Sequence, residues 1–305
     1  MAVKHVVEVG QFNRDEVERL FAEANRLRLL EHGHRSLAGR ILATIFYEPS
    51  TRTRLSFESA MLRLGGQVIS TENAREFSSA IKGESIEDTV RIVSGYADAI
   101  VIRHYEQGAA ARAASVSRVP ILNAGDGPGE HPTQALLDLY TIRHELGRMD
   151  GLRIALVGDL RFGRTARSLA LLTCLTEDSE LIFVSPPEVP MGNDIRRILD
   201  ANSVKYRDET DLSGVLQDVD VVYQTRIQKE RFATPEEYEA ARGVYVLDQS
   251  SYDRLNPSAI VLHPLPRVDE ISTDVDADPR SAYFRQAHNG VFIRMALLES
   301  VILGN

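Results

Sequence analysis

Short apolar runs rich in β-branched residues recur along the chain, and a helical pattern follows most of them. Examples are ILATIF (41–46), AIVIR (99–103), RIALVG (153–158) and LIFVS (181–185). These runs are continuously apolar rather than alternating, which is typical of parallel strands that helices cover on both faces. The pattern therefore predicts an α/β fold built on doubly wound parallel sheets.

The alternation of strands and helices restarts after a turn at 149–151, which indicates two domains. A helical segment, 133–146, precedes that turn, and the last segment, GVFIRMALLESVILG (290–304), forms an amphipathic pattern that could return to the first domain. We therefore predict two doubly wound parallel-sheet domains joined by interdomain helices. The expected domains are residues 1–134 with 290–305, and residues 135–289.

Composition narrows the functional classes. The 305 residues are 43% apolar and carry a net charge of −9, which disfavours general binding to nucleic acid or to an anionic membrane. No apolar run approaches the ~20 residues that span a bilayer. The N-terminus lacks the apolar segment of a secretory signal, so we expect a cytoplasmic location. Cys174 is the only cysteine, which excludes an intrachain disulfide and a thiolate metal cluster.

Hydroxyls and guanidiniums follow the first predicted strand in FYEPSTRTR (46–54). In open α/β sheets, ligands bind at the carboxyl ends of the strands, where a helix N-terminus presents N–H groups to a phosphate. Arg52 and its hydroxyl neighbours would add charge-assisted hydrogen bonds. The stretch therefore suggests a phosphate site, although a capped helix with solvated arginines fits the same residues.

Polar residues also close other predicted strands. Arg103 ends AIVIR, the turn-rich loop GDGPGEHPTQ (125–134) contains His131, and HPLPR (263–267) places two prolines and an arginine after AIVLH. Each alone fits a solvated strand end or a rigid turn. Their repetition at strand ends favours a binding site.

Three of these stretches, FYEPSTRTR, HPTQALLDL and HPLPRVDEI, together resemble the aspartate/ornithine carbamoyltransferases, and more closely the catalytic chains that act on aspartate. The resemblance runs in order from residue 41 to YFRQAHNGVFIR (283–294). It implies transfer of the carbamoyl group of carbamoyl phosphate to the amine of L-aspartate, in pyrimidine biosynthesis. It also implies that neither a metal nor an organic cofactor is needed.

The resemblance assigns one set of residues to carbamoyl phosphate. The residues that grip the phosphate are Ser50, Thr51, Arg52 and Thr53. Arg103 bridges the phosphate and the carbonyl oxygen, and His131 with Thr53 donates hydrogen bonds to that oxygen as it gains negative charge. Gln134 and the backbone carbonyls of Leu265 and Pro266 hold the carbamoyl nitrogen, because an NH2 group offers only donors.

A second set is assigned to aspartate. Arg164 meets the α-carboxylate, and Arg226 with Gln228 meets the side-chain carboxylate, which suits the guanidinium fork. Ser78 and Lys82 reach the active site of an adjacent subunit, Ser78 toward carbamoyl phosphate and Lys82 toward aspartate, which implies a homotrimer. The residues expected to be catalytic are Arg52, Thr53, Lys82, Arg103 and His131. Whether a separate regulatory chain binds stays open.

Two alternative functions are weaker. Ornithine carbamoyltransferases typically carry a cysteine after the histidine of the HxLP motif, where this chain has Pro264, and arginines would repel an ammonium-bearing acceptor. A nucleotide-binding protein is the alternative from another class, because GDLRFGRT (158–165) has Walker A spacing. Arg164 stands in place of the lysine which that motif requires, and this disfavours the nucleotide site.

Overall fold

The computed structural model describes residues 5–30, 34–77, 83–227, 234 and 243–304, without the side chains of Arg75 and Phe77. The chain divides into two compact units. The first unit comprises Met1–Leu137 and His288–Asn305, and the second comprises Asp138–Ala287. Among the described residues, no helix is long and apolar enough to span a membrane.

The first unit contains a parallel sheet of four strands in the order β2-β1-β3-β4. The strands are β1 (Ile41–Phe46), β2 (Gln67–Glu72), β3 (Ala99–His104) and β4 (Ile121–Asp126). The helices are α1 (Arg14–Leu29), α2 (Thr51–Arg63), α3 (Ala74–Phe77), α4 (Ile86–Val93) and α5 (Ala109–Val116). Helix α6 (Pro132–Leu146) begins in this unit and continues into the second one.

The second unit contains a parallel sheet of five strands in the order β7-β6-β5-β8-β9. The strands are β5 (Arg153–Val157), β6 (Glu180–Val184), β7 (Lys205–Glu209), β8 (Val221–Gln224) and β9 (Ile260–Leu262). The helices are α7 (Arg164–Leu172), α8 (Asn193–Ala201) and α9 (Gln249–Arg254). Helix α10 (Tyr283–Leu303) begins in this unit and ends in the first one.

Two parallel sheets in an α/β arrangement confirm the predicted fold class. The continuously apolar runs became strands, most of them central ones, and five of the six residues of β1 are buried. The edge strands β2 and β7 were not predicted. Their sequences, QVISTE and KYRDE, are largely polar and none of their residues is buried, whereas the other two edge strands, β4 and β9, are buried throughout.

Local signals start several helices. Asn13 and Glu16 form a capping box at α1, in which the Asn13 side chain accepts from the Glu16 N–H at 2.9 Å and Glu16 reaches back to the Asn13 N–H at 3.1 Å. The Asp248 carboxylate likewise accepts from the Ser251 N–H at 3.0 Å at the start of α9. These caps satisfy N–H groups that have no partner inside a helix.

Gly127 should be essential to the loop after β4. Its φ is +55°, and an added Cβ would overlap the backbone oxygen of Tyr105. We expect Gly127→Ala to lower the free energy of unfolding by about 2–4 kcal/mol, from left-handed strain plus overpacking. Gly39 has a φ of +79° and nothing within 4 Å of such a Cβ, so Gly39→Ala is the matched control and should cost about 1 kcal/mol. Urea unfolding measures both, and equal losses would contradict the steric argument.

Candidate active site

The ends of three strands meet at one edge of the first sheet. In the parallel register, Phe46 pairs with Arg103 and His104 pairs with Asp126. The stretch from Ser50, the Arg103 side chain and the loop that leads to His131 therefore all start from the carboxyl edge. This is where open α/β sheets bind their ligands.

The start of α2 leaves its first N–H groups to an external acceptor. Ser50 occupies the N-cap position, and its carbonyl accepts from the Arg54 N–H at 3.0 Å. Its hydroxyl, however, makes no capping hydrogen bond. Thr53 is buried, whereas Thr51 is exposed. A helix end with this arrangement can bind an anion through its backbone N–H groups and its hydroxyls.

Two arginines in α2 have different surroundings. Arg52 has no hydrogen bond or ion pair within the described part of the chain. Partial desolvation lowers the pKa of its guanidinium, which nevertheless stays protonated at neutral pH. Arg54 pairs with Glu72 at 2.8 Å and with Glu58 at 3.5 Å. Arg52 can therefore receive an anion, whereas Arg54 holds α2 to the neighbouring strand β2.

Arg103 and His131 are both largely withdrawn from solvent. The Arg103 side chain is 13% exposed, donates to the Ala124 carbonyl at 3.1 Å and lies 3.6 Å from the Glu48 carboxylate. His131 is buried immediately before α6, and its Nδ1 lies 3.5 Å from the Thr133 hydroxyl. Its carbonyl accepts from the N–H of Gln134, itself buried, at 2.9 Å. Backbone hydrogen bonds thus hold the Arg103 side chain and the His131 main chain in place.

Asp126, which sequence reasoning missed, organises the loop before His131. One carboxylate oxygen accepts from the Glu130 N–H at 2.9 Å, and the other accepts from the Gly108 N–H at 2.8 Å. The loop after β4 and the turn before α5 are therefore held by one buried side chain. Its position at the end of a strand was the only signal in the sequence.

In the second unit, two predicted arginines lie near neighbouring strand ends. Val157 of β5 pairs with Gln224 of β8, so the carboxyl ends of these strands are adjacent. Arg164 is the first residue of α7, which follows β5, and Arg226 lies two residues after β8. Both side chains are half-buried. Guanidiniums at such an edge suit carboxylate ligands.

A cleft of about 520 Å³, its open mouth included, lies at this edge of the second unit. Its lining includes Gly158, Arg226, Tyr245, Asp269 and Glu270. Burial raises the pKa of Tyr245 to about 12, so its hydroxyl stays protonated at neutral pH. The cleft therefore combines a guanidinium, a phenol and two acidic residues.

The turn after β9 carries Leu265 and Pro266, which are joined by a cis peptide bond. Arg267, the arginine of HPLPR, is not available to a ligand. It makes a two-pronged ion pair with Asp276, with Nη2 at 2.6 Å from Oδ2, and it also contacts the Tyr283 hydroxyl. The hydrogen bonds that Arg267 donates to Asp276 raise the pKa of its guanidinium, so this side chain stays charged and holds the turn.

Three predicted site residues, Ser78, Lys82 and Gln228, lie outside the described residues. Within the described ranges, no group of three or more histidine, cysteine or acidic side chains has the arrangement of a metal site.

Comparison with known proteins identifies the family. Residues 4–144 match the family model "Aspartate/ornithine carbamoyltransferase, carbamoyl-P binding domain". Residues 150–301 match the companion model, "Asp/Orn binding domain". The chain belongs to the aspartate/ornithine carbamoyltransferase family.

Relatives match almost the whole chain. The chloroplastic aspartate carbamoyltransferase of Oryza sativa subsp. japonica is 54% identical over 98% of this chain and 85% of its own length. The solved catalytic subunit of Methanocaldococcus jannaschii aspartate transcarbamoylase has a TM-score of 0.92 at 48% identity and covers 99% of both chains. Aspartate transcarbamoylase from Trypanosoma cruzi, solved with N-(phosphonacetyl)-L-aspartic acid, has a TM-score of 0.92 at 42% identity and covers 97% of this chain and 95% of its own.

The expected cytoplasmic location is contradicted by these relatives. The proteins from rice, Arabidopsis thaliana and Pisum sativum, which are 54–56% identical to this chain, are chloroplastic. The expectation was based on the missing apolar segment of a secretory signal. That criterion says nothing about plastid import, whose transit peptides are amphipathic and rich in arginine and serine.

The two arginines of α2 should separate binding from stability. We expect Arg52→Gln to weaken inorganic phosphate binding about tenfold or more, since it removes a charge-assisted hydrogen bond, without changing Tm. Arg54→Gln should lower the free energy of unfolding by about 1 kcal/mol, because it leaves Glu58 and Glu72 without their cation. Calorimetric titration with phosphate and thermal unfolding of both variants measure these effects. The two roles would be contradicted if Arg52→Gln lowered the Tm, or if only Arg54→Gln weakened phosphate binding.

Proposed function

We propose that this chain transfers the carbamoyl group of carbamoyl phosphate to the amine of L-aspartate, releasing N-carbamoyl-L-aspartate and phosphate. One observation carries the proposal: the likeness over 97% of the chain to the T. cruzi enzyme, solved with carbamoyl phosphate, with aspartate and with carbamoyl aspartate. Relatives named aspartate carbamoyltransferase support the same reaction. The product is a precursor for pyrimidine biosynthesis.

The two parts of the chain are assigned mainly to different substrates, except that Leu265 and Pro266 of the second part contact carbamoyl phosphate and Lys82 of the first part contacts aspartate. Residues 1–134 with 290–305 bind carbamoyl phosphate, and residues 135–289 bind aspartate. The phosphate lies against the start of α2, which offers hydroxyls, backbone N–H groups and the Arg52 guanidinium, which has no partner among the described residues. The residues assigned to it are Ser50, Thr51, Arg52 and Thr53, joined by Ser78 from an adjacent subunit.

Arg103 and His131 act on the carbonyl oxygen. As the amine attacks the carbamoyl carbon, negative charge develops on that oxygen in a tetrahedral intermediate. Arg103 bridges this oxygen and the phosphate, while His131 and Thr53 donate hydrogen bonds to the oxygen. Burial of both His131 and Thr53 favours such bonds, because a water-poor environment strengthens them.

The enzyme's main contribution is orientation and stabilisation of charge rather than proton abstraction by a side chain. Gln134 and the carbonyls of Leu265 and Pro266 hold the carbamoyl nitrogen. The departing phosphate takes the proton of the attacking amine. His131 is thus a hydrogen-bond donor and not the base.

Aspartate is recognised through its two carboxylates. Arg164 binds the α-carboxylate, and Arg226 with Gln228 binds the side-chain carboxylate, with Lys82 from an adjacent subunit. Arg226 lines the cleft of the second unit, which supports its role. Ornithine is the less favoured acceptor, because its terminal ammonium would face these guanidiniums.

A product assay tests the acceptor. We expect carbamoyl phosphate with L-aspartate to give carbamoylaspartate, and carbamoyl phosphate with L-ornithine to give no citrulline. Arg226→Gln should raise the KM for aspartate about tenfold or more through loss of a charge-assisted hydrogen bond. Formation of citrulline would retain the assignments of the first unit and contradict those of Arg164 and Arg226.

The family resemblance implies that Ser78 and Lys82 are shared between the chains of a homotrimer, so that each site is formed by two chains. We further propose this assembly, and we leave a separate regulatory chain to be detected by the mass of the complex. The M. jannaschii relative is named a catalytic subunit, which makes the measurement informative.

Complementation between inactive chains tests the shared site. Randomly reassembled Arg52→Ala and Lys82→Ala chains should recover about one quarter of wild-type activity, because that fraction of interfaces combines an intact Arg52 with an intact Lys82. Arg52→Ala mixed with Arg103→Ala is the matched control and should recover nothing, since both residues belong to the same side of the interface. Recovery in neither mixture would contradict sharing.

A further inference from the structure

A buried histidine and glutamate lie beneath the turn that carries Leu265 and Pro266. His263 is 2% exposed and Glu270 is 7% exposed. The Leu265 N–H donates to Nδ1 of His263 at 2.8 Å, and Nε2 of His263 lies 2.7 Å from Oε1 of Glu270. Since Nδ1 accepts a hydrogen bond, Nε2 carries the proton of the neutral ring and donates a hydrogen bond to the carboxylate.

Glu270 closes the same turn from its other end. Its second oxygen accepts from the N–H groups of Val268 at 3.1 Å and Asp269 at 3.2 Å. Burial opposes ionisation of Glu270, but the hydrogen bond from His263 and those from the backbone hold its pKa below the usual value. The carboxylate is therefore charged at neutral pH and fully engaged in holding the turn.

A second layer of hydrogen bonds anchors His263 itself. The backbone N–H of His263 donates to the side-chain oxygen of Gln286 at 2.8 Å, and the NH2 group of Gln286 donates to Asp138 at 2.6 Å. The Tyr223 hydroxyl donates to the other oxygen of Asp138 at 2.7 Å. All of these side chains belong to the second unit and are buried. Such a satisfied polar network specifies one geometry, which an apolar core would not do.

The bond to Nδ1 acts on a strained residue. Leu265 has a φ of +55°, in the left-handed region that costs a residue with a side chain about 1–2 kcal/mol. The Leu265 N–H lies in the peptide plane that joins Pro264 to Leu265, so its hydrogen bond to His263 fixes that plane at the start of the turn. Without the acceptor, this plane can rotate and Leu265 can leave its strained conformation, which turns the carbonyls of Leu265 and Pro266.

We propose that His263 and Glu270 are positioning residues that orient the carbonyls of Leu265 and Pro266 toward the NH2 group of the carbamoyl substrate. This inference rests on the proposed function, in which those carbonyls bind that nitrogen. Neither side chain needs to touch the substrate. Their effect is selectivity for an acyl phosphate that can donate hydrogen bonds from the group next to its carbonyl.

Two substitutions of His263 distinguish orientation from simple packing. In His263→Asn, the amide oxygen can occupy the place of Nδ1 and accept from the Leu265 N–H, while the link to Glu270 is lost. In His263→Gln, the amide reaches the place of Nε2 and keeps that link, while the acceptor for Leu265 is lost. Acetyl phosphate is the probe, because its methyl group replaces the NH2 group.

We expect His263→Gln to lower kcat/KM for carbamoyl phosphate about tenfold or more, through the loss of about one or two hydrogen bonds to the substrate. The inhibition constants of acetyl phosphate and inorganic phosphate should change less than about twofold. His263→Asn should retain most of the wild-type preference. If His263→Gln does not fold, Glu270→Gln serves instead. It should lower the preference for carbamoyl phosphate over acetyl phosphate in the same way, because its NH2 group would face the N–H groups of Val268 and Asp269.

Equal losses for carbamoyl and acetyl phosphate in the folded variants would overturn the positioning role. The positioning role would also be overturned if a variant had a lower Tm but an unchanged preference for carbamoyl phosphate over acetyl phosphate, because a purely structural role gives that result. Wild-type protein that forms no carbamoylaspartate would instead contradict the proposed function, so the two failures are separable.

Discussion

Main-chain hydrogen bonds between parallel strands set the positions of the strand ends that carry most of the described candidate residues. In the first sheet they pair Phe46 with Arg103 and His104 with Asp126, and in the second they pair Val157 with Gln224. Because side chains alternate between the faces of a strand, a slip of one residue would send Arg103 to the opposite face. The apolar side chains of β1 and β3, nearly all buried, make such a slip costly. The cores therefore specify the site geometry without contributing a polar group to it.

Buried carboxylates play the same part in both units. Asp126 accepts N–H groups from two loops in the first unit, and Glu270 accepts two N–H groups and a histidine in the second. A loop has no repeating hydrogen-bond partner of its own, so its N–H groups must find acceptors elsewhere. A charged acceptor makes stronger bonds than a neutral one and holds the loop more rigidly. In both cases the fixed loop is the one that carries a residue assigned to substrate, His131 or Leu265.

Much of the fold and part of the site follow from the sequence alone. Most strands were predictable because burial on both faces leaves continuously apolar runs. Strands β2 and β7 were missed because none of their residues is buried and their sequences are largely polar, unlike the other two edge strands, β4 and β9. Arginine roles were not predictable in the same way. Arg54 is tied to Glu72 and Arg267 to Asp276, partners that only the folded chain brings near. The positioning role of His263 was equally hidden, because neither its hydrogen bond with the Leu265 backbone nor the strained φ of Leu265 can be seen in the sequence.

The pairing of arginines also explains how an acidic chain can attract acidic substrates. The net charge of −9 is spread over a large surface, and salt screens its field beyond about 8 Å. The electrostatic potential at a small bound anion is therefore set by the few charged groups within that distance. Glu58 and Glu72 neutralise Arg54, whereas the guanidinium of Arg52 has no partner among the described residues and gives the start of α2 a local positive field. The groups nearest to a bound anion therefore decide whether it binds, and the total charge of the chain is a poor guide to that.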